Sequence, residues 1–230
     1  GFDYVSISDH IMVPRNLHSK YPYTGTGEFP AGASAAWLEQ LTTAAFVAGL
    51  TRKLRFVLSV MVVPHRPAVL TAKMLSTIDV LSEGRLLPAF GVGSPQAPEW
   101  KTLGIDTKGR GARTDEGLEI IRRLWSEPSV DFEGRHFKLK GASISPRPVQ
   151  ADIPMWIGGN SEAAIERTAR IGTSSMTVAL ELHGADADDL RASGEEVYVH
   201  VSGARGRPQP WKDEVIAALQ TYEGRTLLDR

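Results

Sequence analysis

The chain has 230 residues, 42% apolar and 23% charged, enough to bury a full core of α/β size. Its 26 Lys and Arg nearly cancel 27 Asp and Glu, so no basic surface singles out nucleic acid or an acidic membrane as a partner, and no apolar run reaches the ~18 residues of a membrane helix. Cysteine is absent, which removes disulfides, thiolate metal sites and a thiol nucleophile. With no charged-then-apolar leader in view, a cytoplasmic enzyme is the expectation.

Apolar residues mark a first strand at 4–8, which ends abruptly in the polar pair Asp9–His10. A Pro-, Gly- and Tyr-rich loop follows, "PRNLHSKYPYTGTGEFPAG", long enough to be functional and offering Tyr21 and Tyr23 as lid residues over a substrate. Residues 35–50 carry a helical stripe of Trp37, Leu41, Ala44 and Ala48. The apolar, β-branched run "KLRFVLSVMVV" reads as a strand buried on both faces, broken by "PHRP". A helix is predicted over 68–81 with Ala68, Ala72, Leu75 and Ile78 on one face, and Gly84 closes it before the strand at 86–91. A helix-poor loop spans 94–109, and a helix covers 112–126. Trp37 and Trp125 lie on helical stripes and read as core residues.

A hairpin is expected outside the main sheet at 130–139, then a strand at 153–157 and a helix opened by "GGNS". Further strands are predicted at 175–179, 196–201 and 226–229, the last after the helix "EVIAALQTY". Strands alternating with helices predict a parallel sheet, and hence a single (β/α)8 TIM barrel over 1–230, with an open doubly wound sheet as the structural alternative. Seven strands fall one short of a closed barrel, so a first strand and helix are expected upstream of Gly1.

Several stretches carry chemistry. Catalytic groups of such barrels sit at the carboxyl ends of strands, where Asp9 and His10 stand. An imidazole with an ordinary pKa near ~6.5 can exchange protons at neutral pH, and Asp9 suits the orienting of His10 or of the following loop. His65, between two prolines, reads chiefly as part of a chain break. In "FGVGS", Gly91 and Gly93 would let a ligand approach the backbone, although Ser94–Pro95 spoils a dinucleotide fingerprint. Gly158, Gly159, Asn160 and Ser161 precede a helix, so backbone N–H groups and the helix dipole could hold a phosphate; Ser161 as a helix N-cap explains the same letters. Arg110 is expected to pair with Glu116, and Arg113 is a weaker candidate for a coenzyme contact. No His, Asp or Glu spacing suggests a metal.

The strings "GFDYVSISDH", "LSVMVVPHRPAVLTAKMLSTIDVLSEGRLLPAFGVG", "GRGARTDEGLEIIRRLW" and "PMWIGGNSEAAIERTARIG", in this order, together resemble the luciferase-like monooxygenase superfamily, best over residues 1–172. The loop "YPYTGTGEFP" followed by "WLEQLTTAAFVAGLT" is similar to its deazaflavin-dependent oxidoreductases. The resemblance implies a (β/α)8 barrel binding coenzyme F420 or FMN, a small-molecule substrate and a homodimer. It also implies a proton-handling role for His10, a phosphate role for "GGNS" and a non-proline cis bond at Ser59–Val60 beside the coenzyme ring. The expected activity is hydride transfer between the deazaflavin and an organic substrate. The alternatives are an FMN-dependent monooxygenase and a non-catalytic flavin-binding barrel, since one fold hosts all three.

Overall fold

The computed structural model describes residues 3–13, 36–159, 161, 163, 164, 166 and 167, together with the backbone of strands within 175–208. The long loop with Tyr21 and Tyr23, Asn160, the helix "EVIAALQTY" and the strand expected at 226–229 lie outside the described residues. The chain forms two compact units, Gly1–Gly158 and Gly159–Arg230.

The first unit is built on four parallel strands in the order β1 (Tyr4–Ile7), β2 (Arg55–Val62), β3 (Leu86–Gly91) and β6 (Trp156–Ile157). Ile7 pairs with Leu58, Phe56 with Leu86, and Phe90 with Ile157. Helix α1 (Gln40–Leu50) links β1 to β2 and α2 (Ala68–Leu81) links β2 to β3, the crossovers that a parallel sheet requires. Phe56, Leu58 and Met61 of β2 and Leu86 and Phe90 of β3 are fully buried, but only β3 is covered on both faces: in β2, expected to be buried on both, Ser59 is exposed and Val57, Val60 and Val62 are half-buried. The described strands do not close a barrel.

Outside the sheet, α2 packs on α4 (Arg110–Ser126), whose Leu118, Ile121 and Leu124 are buried. Trp125 is half-buried there and donates its indole N–H to the Ala72 carbonyl at 3.1 Å. Strands β4 (Val130–Glu133) and β5 (Lys138–Ala142) form an antiparallel pair where the sequence places a hairpin. The expected Arg110–Glu116 pair does not form: the Glu116 carboxylate accepts the backbone N–H groups of Arg135, His136 and Phe137 at 2.8–3.1 Å. Three converging amides in the hairpin turn offer a carboxylate more than one mobile guanidinium does. Arg110 instead donates to the Gly93 carbonyl at 3.3 Å.

Three assignments differ from expectation. Helix α1 starts at Gln40 because the Glu39 side chain accepts the Thr42 N–H at 2.7 Å and caps it, so Trp37 precedes the helix. The supposedly helix-poor loop at 94–109 contains a short helix, α3 (Glu99–Thr102), that buries Glu99 and Trp100. In the second unit, β7 (Ser175–His183) and β8 (Leu190–Val199) pair antiparallel with each other, where two parallel strands were expected. Residues 184–189 between them are too few for a parallel crossover, which takes about a dozen or more. A second antiparallel pair joins β9 (Val201–Ser202) and β10 (Arg207–Pro208).

A candidate active site at the carboxyl ends of the strands

Three strands of the first unit end side by side, and each delivers polar groups to the same edge. After β1 come Asp9 and His10. After β2 a 3₁₀ turn (Val63–His65) leads into Arg66. After β3 the chain turns at Gly93 and reaches Glu99 and Trp100 through α3.

Asp9 is buried, and its carboxylate is fully engaged. Arg66 donates to it through two nitrogens, at 2.9 and 2.7 Å, and the Val62 N–H adds a third bond at 2.9 Å. Arg66 reaches on to Glu39 at 2.9 Å, so one guanidinium ties the end of β1, the end of β2 and the cap of α1 together. Burial opposes the Arg66 charge, but the hydrogen bonds and field of Asp9 and then Glu39 outweigh it and raise its pKa. Burial likewise opposes ionisation of Glu39, yet its bonds with Thr42 and Arg66 hold its carboxyl below the ordinary range. The orienting role expected of Asp9 is therefore exerted on Arg66 and the strand ends.

His10 sits differently. Its Nδ1 lies 3.4 Å from Glu99 Oε1, and its ring meets Trp37 edge-on with centroids 5.1 Å apart. Trp37, expected in the core, is a half-buried neighbour of the candidate proton carrier. Burial works against the Glu99 charge, but the hydrogen bond with His10, its own backbone amide and the fields of His10 and His65 keep its carboxyl below the ordinary value. His65 is buried against Trp100, edge-on at 4.7 Å, and neither of its ring nitrogens has a hydrogen-bond partner among the described residues. Burial pushes its imidazole below the ordinary histidine value, against the pull of Asp9 and Glu99. Gln40 donates to the Ile7 carbonyl at 2.6 Å while its buried Oε1 has no partner among the described residues. His65 closes the 3₁₀ turn that breaks the chain after β2, as expected, and is buried there.

The Ser59–Val60 peptide bond is cis, and the β2–β3 register shifts between Leu58 and Met61. Ser59 is exposed. The glycines expected to admit a ligand have occupants from the chain itself. A Cβ at Gly91 or Gly158 would lie 2.8 or 2.9 Å from a Val60 methyl, and one at Gly93, where φ is +72°, would lie 2.8 Å from both Trp100 and Val62. These positions are glycine because Val60, Val62 and Trp100 press on their backbones. In the second unit, Gly159 has φ +130° and Ser161 Oγ accepts the Ala164 N–H at 3.3 Å, a helix-capping contact.

Arg66, Glu99 and Trp100 were absent from the sequence-derived site. A signal existed for two of them: a cation directly after a buried strand requires an acid, and Pro98 followed by an acid marks a helix start. Among the described residues no three His, Asp or Glu side chains converge as metal ligands, and no helix is long and apolar enough to cross a membrane.

Parallel strands joined by helices, with polar residues gathered at the strands' carboxyl ends, are the arrangement found in (β/α)8 barrel enzymes. A family sequence model, described as luciferase-like monooxygenase, matches residues 1–222, and the chain belongs to this family. The uncharacterized protein Rv0940c of Mycobacterium tuberculosis is 33% identical over 171 residues, 74% of this chain and 58% of the relative. The pyrimidine monooxygenase RutA of Pseudomonas syringae is 33% identical over 58% of this chain and 38% of its own length. The F420-dependent glucose-6-phosphate dehydrogenase of Kineococcus radiotolerans is 28% identical over 75% of this chain and 47% of its own. Among solved structures, the monooxygenase RslO1 of Streptomyces bottropensis matches with TM-score 0.58 and 26% identity, over 74% of this chain and 46% of that one. An F420-dependent secondary alcohol dehydrogenase, at 22% identity and TM-score 0.58, supports the fold. The chain spans about half the length of the curated relatives it matches.

Proposed function

We propose that this chain is an oxidoreductase subunit that moves a hydride between a deazaflavin coenzyme, F420, and a small organic substrate. The observation that carries the reading is His10 at the carboxyl end of β1, seated against the buried carboxylate of Glu99, in a chain of the luciferase-like family. A deazaflavin, with carbon where flavin has its oxygen-reactive nitrogen, supplies two-electron hydride transfer.

The residues at this edge suit such a group. Buried, unpaired polar atoms on His65 and Gln40 and the exposed Ser59 give a planar ligand with polar edges something to meet. Ser59, Val60, Gly91 and Gly93 would line the ring. His10 would accept or return the substrate proton, while the Asp9–Arg66–Glu39 network keeps the strand end that carries it in place. A cytoplasmic homodimer belongs to the same reading.

A second reading, an FMN-dependent monooxygenase, is favoured by the 33% identity to the pyrimidine monooxygenase. Fluorescence titration of the full-length protein with coenzyme F420 and with FMN separates them. Micromolar binding of F420 with much weaker FMN is expected. The opposite preference, with oxygen uptake dependent on reduced flavin, would establish the monooxygenase. Binding of neither up to millimolar concentration would leave a non-catalytic barrel. His10→Asn should keep coenzyme affinity within a few-fold and lower turnover about 10²–10⁴-fold.

A further inference from the structure

Helix α1 begins at an unusual cap. Ser, Thr, Asp and Asn are the residues that favour a helix N-cap, and any of them could accept the Thr42 N–H. This helix uses Glu39, one methylene longer than Asp. The extra length is used: Oε2 takes the Thr42 N–H at 2.7 Å while Oε1 takes Arg66 at 2.9 Å. Charge balance does not require the second bond. Asp9 already meets Arg66 through two nitrogens, with the Val62 N–H as a third donor, so the Glu39 charge is surplus to that pair. Nor is the link an ordinary surface pair. The Arg66 side chain is 11% exposed and that of Asp9 1%, which makes the guanidinium a fixed anchor for the partly exposed Glu39. What the link brings together is the segment before α1 and the ends of β1 and β2. Trp37 stands two residues before the cap, and its ring meets His10 edge-on with centroids 5.1 Å apart. Ala36 and Leu38, on either side of Trp37, are exposed, so packing of these neighbours does not hold the segment down.

We propose that Glu39 is a positioning residue: by clamping the start of α1 to Arg66 it holds the Trp37 ring against His10 and so fixes the plane of that imidazole. A group that exchanges protons in a reaction must be kept in its productive orientation, and packing against a second side chain is one way to lock its rotamer. His10 needs such support because it lies past the end of β1, and its side chain keeps 22% of its surface exposed. Glu99 meets the ring at one atom, Nδ1, at 3.4 Å. A contact at one atom leaves a ring able to turn about that bond, and a second ring packed on it at 72° takes that freedom away. Both rings make further contacts as well, and the clamp sets where the indole stands within that group. Glu39 does this from outside the reacting groups, through Arg66 and the turn of chain that carries Trp37. Its meaning for turnover rests on the proposed role of His10, but the clamp can be tested without it.

Proton–carbon correlation spectra of the full chain, labelled at histidine and recorded at one fixed pH without coenzyme, read the contact, because a packed indole shifts the ring C–H signals of its neighbour. His10→Asn assigns the His10 signals, and Trp37→Leu gives their position with the indole removed. Glu39→Asp and Glu39→Ser both remain good caps for Thr42 but fall short of Arg66. In each, the His10 signals should move at least halfway to their Trp37→Leu position. The thermal midpoint should stay within about 4 °C of the parent, since a partly exposed ion pair adds little to stability. The ring signals of His136, between β4 and β5, should stay where they are. His10 signals that do not respond to Trp37→Leu, or that stay put in both Glu39 variants, overturn the proposal. So does a general shift in which His136 moves alongside His10, because that reports a loosened fold and not a local clamp. No coenzyme is present, so a failure here leaves the F420 reading standing, and a failed coenzyme titration leaves this one standing.

Discussion

The two ends of the parallel sheet treat buried polar groups in opposite ways. At the amino ends of the strands nearly everything is matched. Arg85 donates to the carbonyls of Ala48, Thr51, Leu54 and Ser82 at 2.6–3.0 Å, closing the end of α1. Asp79, fully buried, accepts the backbone N–H groups of Val149 and Gln150 and the Gln150 amide at 2.6–3.0 Å. At the carboxyl ends Asp9 and Arg66 are matched, but among the described residues His65 has no partner at either nitrogen and Gln40 Oε1 has none. An orphaned buried polar atom destabilises a fold, and among the described residues three of the four such side-chain atoms belong to Gln40 and His65 at this end, the fourth being His136 Nε2 between β4 and β5. In barrels of this architecture the same asymmetry divides function from stability.

Substitutions can break that contrast. The largest effect is expected at the matched part of the functional end: Arg66→Met leaves Asp9 charged, buried and held by a single amide, and should cost about 3–5 kcal/mol in urea denaturation. At the opposite end Asp79→Ala leaves two backbone amides and a side-chain amide without their acceptor, a loss of about 1–3 kcal/mol by the same measurement. His65→Leu removes two unpaired nitrogens along with one ring contact, and should leave stability within about 1 kcal/mol of the parent while weakening coenzyme binding. A destabilisation of His65→Leu as large as that of Asp79→Ala would erase the distinction between the two ends.

The same histidine sets a pH signature. Because burial lowers its pKa in the folded protein, the unfolded chain takes up the proton first. Stability is therefore full above about pH 6.5 and falls as pH drops through that value. Glu39 and Glu99, also lowered, add their own losses only in the carboxylate range below. The step between them should vanish in His65→Leu when thermal unfolding is followed against pH.

Much of this was legible in the letters. Apolar runs mark β2 and β3, helical stripes mark α2 and α4, and the sudden polarity of Asp9–His10 marks a strand end. What the letters hide is partnership at a distance. Arg66 lies 57 residues from Asp9 and Glu99 lies 89 from His10, and no local pattern distinguishes a buried acid from an ordinary first-turn acid on a short helix. Glycine is ambiguous for a related reason. Gly91 and Gly93 read as places where a ligand could approach the backbone, and the structure gives each a second reason to be glycine, since a Cβ there would meet Val60, or Val62 and Trp100. The antiparallel pairing of β7 and β8 was hidden because the expected strands, 175–179 and 196–201, leave residues 180–195 for a crossover; only the longer strands of the structure shorten that segment to 184–189.

The central claim, that the carboxyl ends of the strands form the coenzyme site, is tested most directly by mapping backbone amide shifts during titration with coenzyme F420. Perturbations should concentrate at Asp9, His10, Ser59, Val60, Gly93 and Glu99 and spare Asp79, Arg85 and Gln150. Saturable binding that instead perturbs Asp79, Arg85 and Gln150 and leaves His10 and Glu99 unmoved would contradict the account.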